Sequence, residues 1–546
     1  MVGGYTILPP DRMDVPTSNT LPKLQYASPS IRQVALSDWM LAFADRNRLK
    51  LFAAITVIYL LGFNGQWRLE PDSALYLTIG RNLANGEGFT YQDMIHRLAF
   101  PGLPRLFAGV FILFHTDKLL PHLILMLLIG FCTLGLTYRL FLLHVGRPTA
   151  VLVTVGVGIS RLFYRYCFEL LSDMPFLLGV MAFLVGYEAV FCRRDPTDPN
   201  RHARVPWYDW FFLIGGFSIA VVMRPTMWAL CVAAFLALVW SAIRGPYRTR
   251  PLLVCGAMGI VVFFFWLKAR HVENSLGQYE ENFNYRFSHF STLIHTMFVE
   301  YAPRLFEATL SQALFGTRLG PGLNTLAGIA VLGLGVSLFW RRPLWGLWVG
   351  MTVVMVLVAI KPLDRYFLEV LPLLVFGWWT ALRWFEHRFP GKWATAVFAG
   401  LFLLGGTTNL LRIAEFVIEQ HRRPFLEYYK EGRFGSIDKV ARMLEHRVEP
   451  DAWVIAPPKV ARILTFLSKR HVIEPTPEYN WVSASYHTVY LLEPLAAPAR
   501  NWVAAQHSTL GPRIGPEIPG RYEPDNPAPW VLRRVIPLVP QTRPSE

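Results

Sequence analysis

This chain of 546 residues predicts a mainly α fold, a polytopic transmembrane helical bundle followed by a small C-terminal α/β domain. Its residues are 53% hydrophobic and only 17% charged. Stretches of about 15 to 25 residues carry almost no charge, the length a helix needs to cross a hydrocarbon core. Leu119–Val145, Leu170–Phe191, Leu323–Trp340 and Trp393–Leu410 are the clearest of them. Beyond Arg412 the chain turns polar and Pro-rich. The same composition excludes a disordered, collagen-like, coiled-coil or disulfide-rich chain, and a purely soluble one.

Residues 1–48 form a polar tail with Pro9, Pro10, Pro16 and Pro22. No apolar core precedes Leu51, which argues against a cleavable leader. Residues 49–411 form the membrane module, and its first helix is expected over Leu49–Gln66. Lys and Arg in short loops favour the cytoplasm. The basic connectors Arg139–Arg147, Cys192–Arg204, Arg244–Arg250, Arg341–Arg342 and Arg383–Lys392 therefore face inward. The opposite connectors face out: a first outer loop over residues 67–99, Ser172–Asp173, Arg224–Pro225, a long loop over residues 268–322, and Lys361–Arg365. Leu103–Phe114 would span only ~18 Å at ~1.5 Å per residue against a core of ~30 Å, so it reads as short, re-entrant or strongly tilted. The total comes to about eleven crossings.

Residues 412–546 then lie outside the membrane on the outer face. Ile437, Val440, Ala441 and Leu444 make a helical stripe over Ser436–Arg447, and Lys459–Ser468 is a second helix. Trp453–Ala456, His471–Ile473, Thr488–Leu492 and Trp530–Val535 read as strands. Their alternation predicts a small α/β domain with some parallel pairing. It carries no GxGxxG or GxxxxGK[ST] pattern, so nothing supports nucleotide binding.

The 53 Lys+Arg and 38 Asp+Glu residues leave a net charge of +15. Much of the excess falls in short loops between apolar helices, where it sets orientation and meets anionic lipid headgroups, so membrane lipids rather than nucleic acid are the expected partner. The five cysteines, Cys132, Cys167, Cys192, Cys231 and Cys255, sit in or beside apolar segments without paired spacing and read as small hydrophobes.

The most informative segment runs from Glu70 to Tyr91. Pro71 suits the first position of a helix, and Gly86 and Gly88 suit its end. Leu75, Tyr76, Ile79 and Leu83 share a face, so this helix is expected to lie along the membrane surface with Asp72 in its first turn. There the positive end of the helix dipole favours a negative charge, and Asp72 is placed to accept a proton or a hydrogen bond at the water–lipid boundary. The plainer reading is a helix-starting acid on a solvated loop. Arg224, between two apolar runs, either reaches an interface or partner or snorkels at a turn. Lys361 and Arg365 are anion-binding candidates or interface anchors, and His96 and Arg97 are binding candidates or solvated loop residues. Tyr279 and Tyr285, in the long loop, suit stacking on a sugar ring or an interfacial aromatic belt.

An acidic residue followed by a Tyr and then Leu83–Ala-Asn-Gly-Glu-Gly-Phe89, in an outer loop after the first helix, resembles the GT-C superfamily of polyprenyl-phosphate-sugar-dependent glycosyltransferases. That superfamily includes protein O-mannosyltransferases and bacterial lipid A aminoarabinose transferases. Phe100–Pro-Gly-Leu-Pro104, Leu171–Ser-Asp173–Met-Pro175, Met223–Arg-Pro-Thr226 and Lys361–Pro-Leu-Asp-Arg365–Tyr-Phe-Leu-Glu-Val-Leu-Pro372 are similar to its later motifs, in order and on one side. The chain departs from the pattern twice. Ser73 stands where a second carboxylate often follows the first, and Glu369 stands where many members have Pro.

The resemblance implies an inverting transfer of a sugar from a polyprenyl-phosphate carrier to an acceptor glycan, lipid or protein, at the outer face of a bacterial inner membrane. Asp72 is then the candidate base and Asp173 its acidic partner. Arg224, Lys361, Arg365, His96 and Arg97 become candidates for the donor phosphate, and Tyr76, Tyr279, Tyr285 and Tyr366 for substrate contact. A divalent cation is the one cofactor in question, and loss of the paired acid weakens the case for it. Two other classes fit a polytopic chain. A transporter or flippase of a lipid-linked saccharide would place charges near mid-membrane, often in inverted repeats, and no internal repeat is visible. A non-catalytic assembly factor would leave Asp72 and Asp173 free to vary.

Overall fold

The computed structural model describes residues 35–91, 94–95, 100–192, 205–244, 249–271, 288, 290–301, 314–316, 342–358, 365–389, 391–422, 437–457, 460–473, 488–494, 514–517 and 530–535. In chain order its helices are α1 (Leu36–Gly62), α2 (Pro71–Ala84), α3 (Gly102–Phe114), α4 (Leu120–Val145), α5 (Arg147–Gly158), α6 (Arg161–Tyr166), α7 (Asp173–Tyr187), α8 (Trp207–Met223), α9 (Met227–Arg244) and α10 (Thr249–His271). There follow α11 (Phe290–His295), α12 (Pro343–Val358), α13 (Arg365–Leu368), α14 (Leu371–Arg388), α15 (Lys392–Arg422), α16 (Ile437–Arg447) and α17 (Val460–Ser468). A small antiparallel pair, β1 (Thr90–Tyr91) with β2 (Met94–Ile95), lies in the first loop.

Among the described residues, three helices are long and apolar enough to cross a membrane: Leu120–Val145, Asp173–Cys192 and Trp393–His421. Shorter apolar helices, Gly102–Phe114 among them, accompany them. Leu128, Phe211, Leu253, Phe264 and Leu403 lie on outward faces, each more than half exposed, which suits hydrocarbon rather than water. This is a multi-pass membrane protein. Residues 317–341, which hold the whole apolar run Leu323–Trp340, fall outside the described residues.

At the centre runs α7, whose described side chains are almost all buried, as expected of a helix apolar all round. Its neighbour α8 approaches closely because glycines face it. A Cβ on Gly216 would stand 2.4 Å from the backbone N of Phe183, and one on Gly186 2.3 Å from that of Leu213. Small residues permit such contact between apolar helices.

The structure corrects the start of the first helix and adds local detail to the long loop. First, α1 begins at Leu36, well before Leu49, and bends at Asn47. Its polar first turns dock rather than hang free. The buried Glu386 carboxylate accepts from the backbone N–H groups of Leu36 and Ser37 at 2.8 and 3.0 Å, satisfying donors that a helix start leaves orphaned. Arg383 pairs with Asp38 at 3.1 Å and Arg147 with Asp45 at 2.6 Å. Second, the long loop is partly helical: α11 continues into a wide turn over Thr296–Tyr301.

The C-terminal domain is a five-stranded sheet of β3 (Trp453–Ile455), β4 (His471–Ile473), β5 (Val489–Pro494), β6 (Ile514–Glu517) and β7 (Trp530–Val535), in the order β4-β3-β5-β7-β6. β3 pairs in parallel with β4 and β5, while β7 pairs antiparallel with β5 and β6. α17 is the crossover between the parallel strands β3 and β4, the connection such a pair requires. It also fastens the domain to the bundle. Phe466 meets Trp67 edge-on at 5.2 Å, Arg81 donates to the Phe466 carbonyl at 3.3 Å, and Lys469 pairs with Asp117 at 3.0 Å.

Candidate active site

Four chain breaks converge at one end of the bundle. Asp72 opens α2 behind Pro71, and Asp173 opens α7. Arg224, Pro225 and Thr226 form the break between α8 and α9, where Pro225 cannot continue a helix. Arg365, Tyr366 and Glu369 lie on α13 and the turn into α14.

Deepest is a trio of charges. Arg224 Nη1 pairs closely with Asp173 Oδ1 and lies 3.6 Å from Glu369 Oε1. Asp173, Arg224 and Glu369 are 2%, 5% and 1% exposed, so the cation is clamped between two buried carboxylates. Thr226 donates to Glu369 Oε1 at 2.9 Å, while Glu369 Oε2 is buried without a hydrogen-bond partner among the described residues. The Tyr366 ring spaces two arginines, with the Arg224 guanidinium 5.1 Å and that of Arg365 5.3 Å from its centroid. Arg365 also donates to the Tyr366 hydroxyl at 3.4 Å.

Asp72 lies nearer the surface and is flanked on both sides. Arg365 Nη1 reaches its Oδ2 at 3.4 Å, and Arg462 Nη1, from α17, reaches its Oδ1 at 3.3 Å. These side chains are 42%, 28% and 32% exposed, and ion pairs of that kind contribute only ~0–1 kcal/mol. The two arginines' pairs with Asp72 taken alone therefore cost little to exchange for another anion, whereas Arg224 is locked in place: releasing it would strand two buried carboxylates, and breaking a buried pair costs ~3–5 kcal/mol.

A second cluster adjoins this one. Arg165 Nε donates to the buried Glu169 at 2.6 Å, Arg68 lies 3.7 Å from the same oxygen, and Arg165 reaches Glu70 at 3.9 Å. Burial raises the Glu70 carboxyl above its ordinary value, with the Glu169 charge adding to the rise and Arg165 opposing it.

Of the residues singled out in the sequence, Asp72, Asp173, Arg224, Arg365 and Tyr366 come together. Tyr76 lies one turn beyond Asp72 on the same helix and is half-buried. His96, Arg97, Tyr279, Tyr285 and Lys361 lie outside the described residues. Sequence reasoning missed Arg462, although it is the one charged side chain on α17. It noted Glu369 only as a departure from a motif, and it passed over Glu169, an acid four residues before Asp173 in the turn between α6 and α7.

The donor set of the described residues does not fit a metal ion. Among the described residues no group of three His, Cys, Asp or Glu side chains could hold one. Asp72 and Asp173 each face a guanidinium group, and Glu369 shares Arg224 with Asp173, whereas hard cations take six or so oxygens. Ser73 adds no ligand, because its hydroxyl donates to the Glu70 carbonyl at 2.7 Å and accepts from Trp67 at 3.0 Å.

By sequence, no family model matches the chain and no curated protein is a detectable relative. By structure, ArnT from Cupriavidus metallidurans, solved bound to undecaprenyl phosphate, matches 90% of this chain and 99% of its own with a TM-score of 0.54 at 12% identity. The oligosaccharyltransferase AglB from Archaeoglobus fulgidus, solved with an inhibitory peptide and a dolichol-phosphate, matches 84% of this chain and 71% of its own with a TM-score of 0.51 at 11% identity. The chain has the GT-C fold. That likeness extends over 90% of the chain.

Proposed function

We propose that this protein moves a sugar from a polyprenyl-phosphate carrier to an acceptor glycan, lipid or protein, with inversion at the anomeric carbon. The observation that carries the reading is Asp72, a carboxylate at the opening of a helix, held between two arginines that can turn to a phosphate. In the proposed reaction an acceptor hydroxyl or amine attacks the anomeric carbon. Its proton passes to Asp72, and the bond from that carbon to the phosphate oxygen breaks on the opposite face. The departing phosphate gains negative charge, which Arg365 stabilises. Asp173, Arg224 and Glu369 form the rigid floor beneath, with Tyr366 fixing the spacing of the two arginines.

The neighbours' carriers support a lipid-linked donor, since one is bound to undecaprenyl phosphate and the other to a dolichol-phosphate. The distribution of basic connectors supports a site at the outer face with the C-terminal domain outside, and the inner membrane is proposed from the family resemblance alone. Lys361, His96 and Arg97 stay in the proposal as further phosphate candidates, and Tyr76, Tyr279, Tyr285 and Tyr366 as sugar contacts. The test is to incubate the purified protein in detergent with a panel of polyprenyl-phosphate sugars and measure bound and hydrolysed donor. At least one donor should be bound and slowly cleaved; a panel with neither binding nor cleavage overturns the proposal.

A further inference from the structure

The C-terminal domain does not stand apart from the site. Its helix α17 packs its apolar side chains inward, burying Val460, Ala461, Ile463 and Leu464, and leaves Arg462 projecting toward the bundle. There Arg462 Nη1 takes the Asp72 oxygen that Arg365 does not, at 3.3 Å against 3.4 Å on the other side. Three contacts hold α17 in this place without drawing on the site: Phe466 on Trp67, Arg81 on the Phe466 carbonyl, and Lys469 on Asp117.

Asp72 is a single carboxylate flanked by two guanidinium groups, and the side chains of Arg365 and Arg462, 28% and 32% exposed, can each meet the negative charge of a sugar-phosphate diester. Arg224 is unsuited to the task, because its charge is already matched by the two carboxylates that enclose it. We propose that Arg462 is the second ligand of the donor phosphate, so that the C-terminal domain supplies half of the phosphate clamp. This rests on the glycosyl-transfer reading above. It adds that a residue some 390 positions from Asp72 in the chain, on a separate domain, sets affinity for the carrier's head.

The test uses the full chain in nanodiscs with two probes, undecaprenyl phosphate and the uncharged undecaprenol. Wild type is compared with Arg462→Ala, Arg462→Lys, Arg365→Ala and, as a docking control, Lys469→Ala. Protease resistance of α17 reports whether the domain remains docked. Arg462→Ala should weaken undecaprenyl phosphate binding roughly tenfold or more, equivalent to about 1.4 kcal/mol, with undecaprenol binding unchanged. Arg462→Lys should recover part of that loss, and Lys469→Ala should bind as wild type. Wild-type affinity in Arg462→Ala beside a loss in Arg365→Ala would overturn the inference and leave the transferase reading intact. Equal loss of both probes in Arg462→Ala, with α17 exposed to protease, would also overturn it, because the arginine would then be holding the domain. A wild-type protein that does not distinguish the phosphate from the alcohol would defeat the transferase reading and this inference together.

Discussion

Replacing Arg224 by Met keeps an unbranched stem and removes the guanidinium group with its charge. Asp173 and Glu369, at 2% and 1% exposure, would then face each other with no cation between them. At 3.6 Å and an effective dielectric constant of ~20, the Arg224–Glu369 attraction alone is about 4–5 kcal/mol before desolvation is subtracted. The closer Asp173 contact is stronger still. Net of desolvation, removing one partner of such a network costs ~3–5 kcal/mol. Adding Glu369→Gln removes one stranded charge, and the double variant should regain about 1–3 kcal/mol of that loss, a coupling typical of residues in one network. Unfolding of the purified protein by a graded denaturant in a fixed detergent measures both steps. An Arg224→Met loss below ~1 kcal/mol, or a double variant no more stable than the single one, would refute a shared charge network at this position.

Three further outcomes are expected. Gly216→Ala should destabilise the α7–α8 pair by ~1–3 kcal/mol, because its methyl would meet backbone 2.4 Å away; unchanged thermal stability would mean that the helices can separate freely. A carboxyl raised by burial, as Glu70 is, favours the protonated folded state, so its contribution to stability is complete below its ordinary value of 4.5 and is lost as pH rises through the folded value. Glu70→Gln should therefore be less sensitive to pH in that window than wild type, and parallel stability profiles would contradict the assignment. Single cysteines at Thr90 and Arg342 should react with a membrane-impermeant reagent from opposite sides, whereas equal labelling from outside would overturn the orientation derived from the basic loops.

Much of this fold could be read from local sequence, because the signals are local. Apolar runs with charges at their ends marked the long spans, and alternation in the last quarter of the chain marked β3, β4, β5, β7 and both helices of the domain. β6 was missed because Ile514–Gly-Pro-Glu517 lacks a strand pattern, and it pairs only at the edge of the sheet, where Pro and Gly are tolerated. The start of α1 was missed because its polar residues are matched by Glu386, Arg383 and Arg147, partners that lie far along the chain.

The candidate site divides in the same way. Asp72, Asp173, Arg224 and Arg365 stand at helix breaks that a motif reveals. The pairing of Arg462 with Asp72 across two domains, and of Glu369 with Arg224 across the bundle, is a tertiary fact that no single stretch of sequence contains. Glu369 was visible only as a mismatch, and its burial beside Arg224 gives that mismatch a structural role.

The account depends on Asp72 as the group that takes the acceptor's proton, and binding can be separated from turnover to test it. Purified wild type and Asp72→Asn, matched for folding, are supplied with the polyprenyl-phosphate sugar that wild type turns over, and both carrier affinity and sugar release are measured. Carrier binding within a few-fold of wild type, with release lowered at least ~100-fold, is the predicted result. Release at near wild-type rates by Asp72→Asn would contradict the mechanism at its centre.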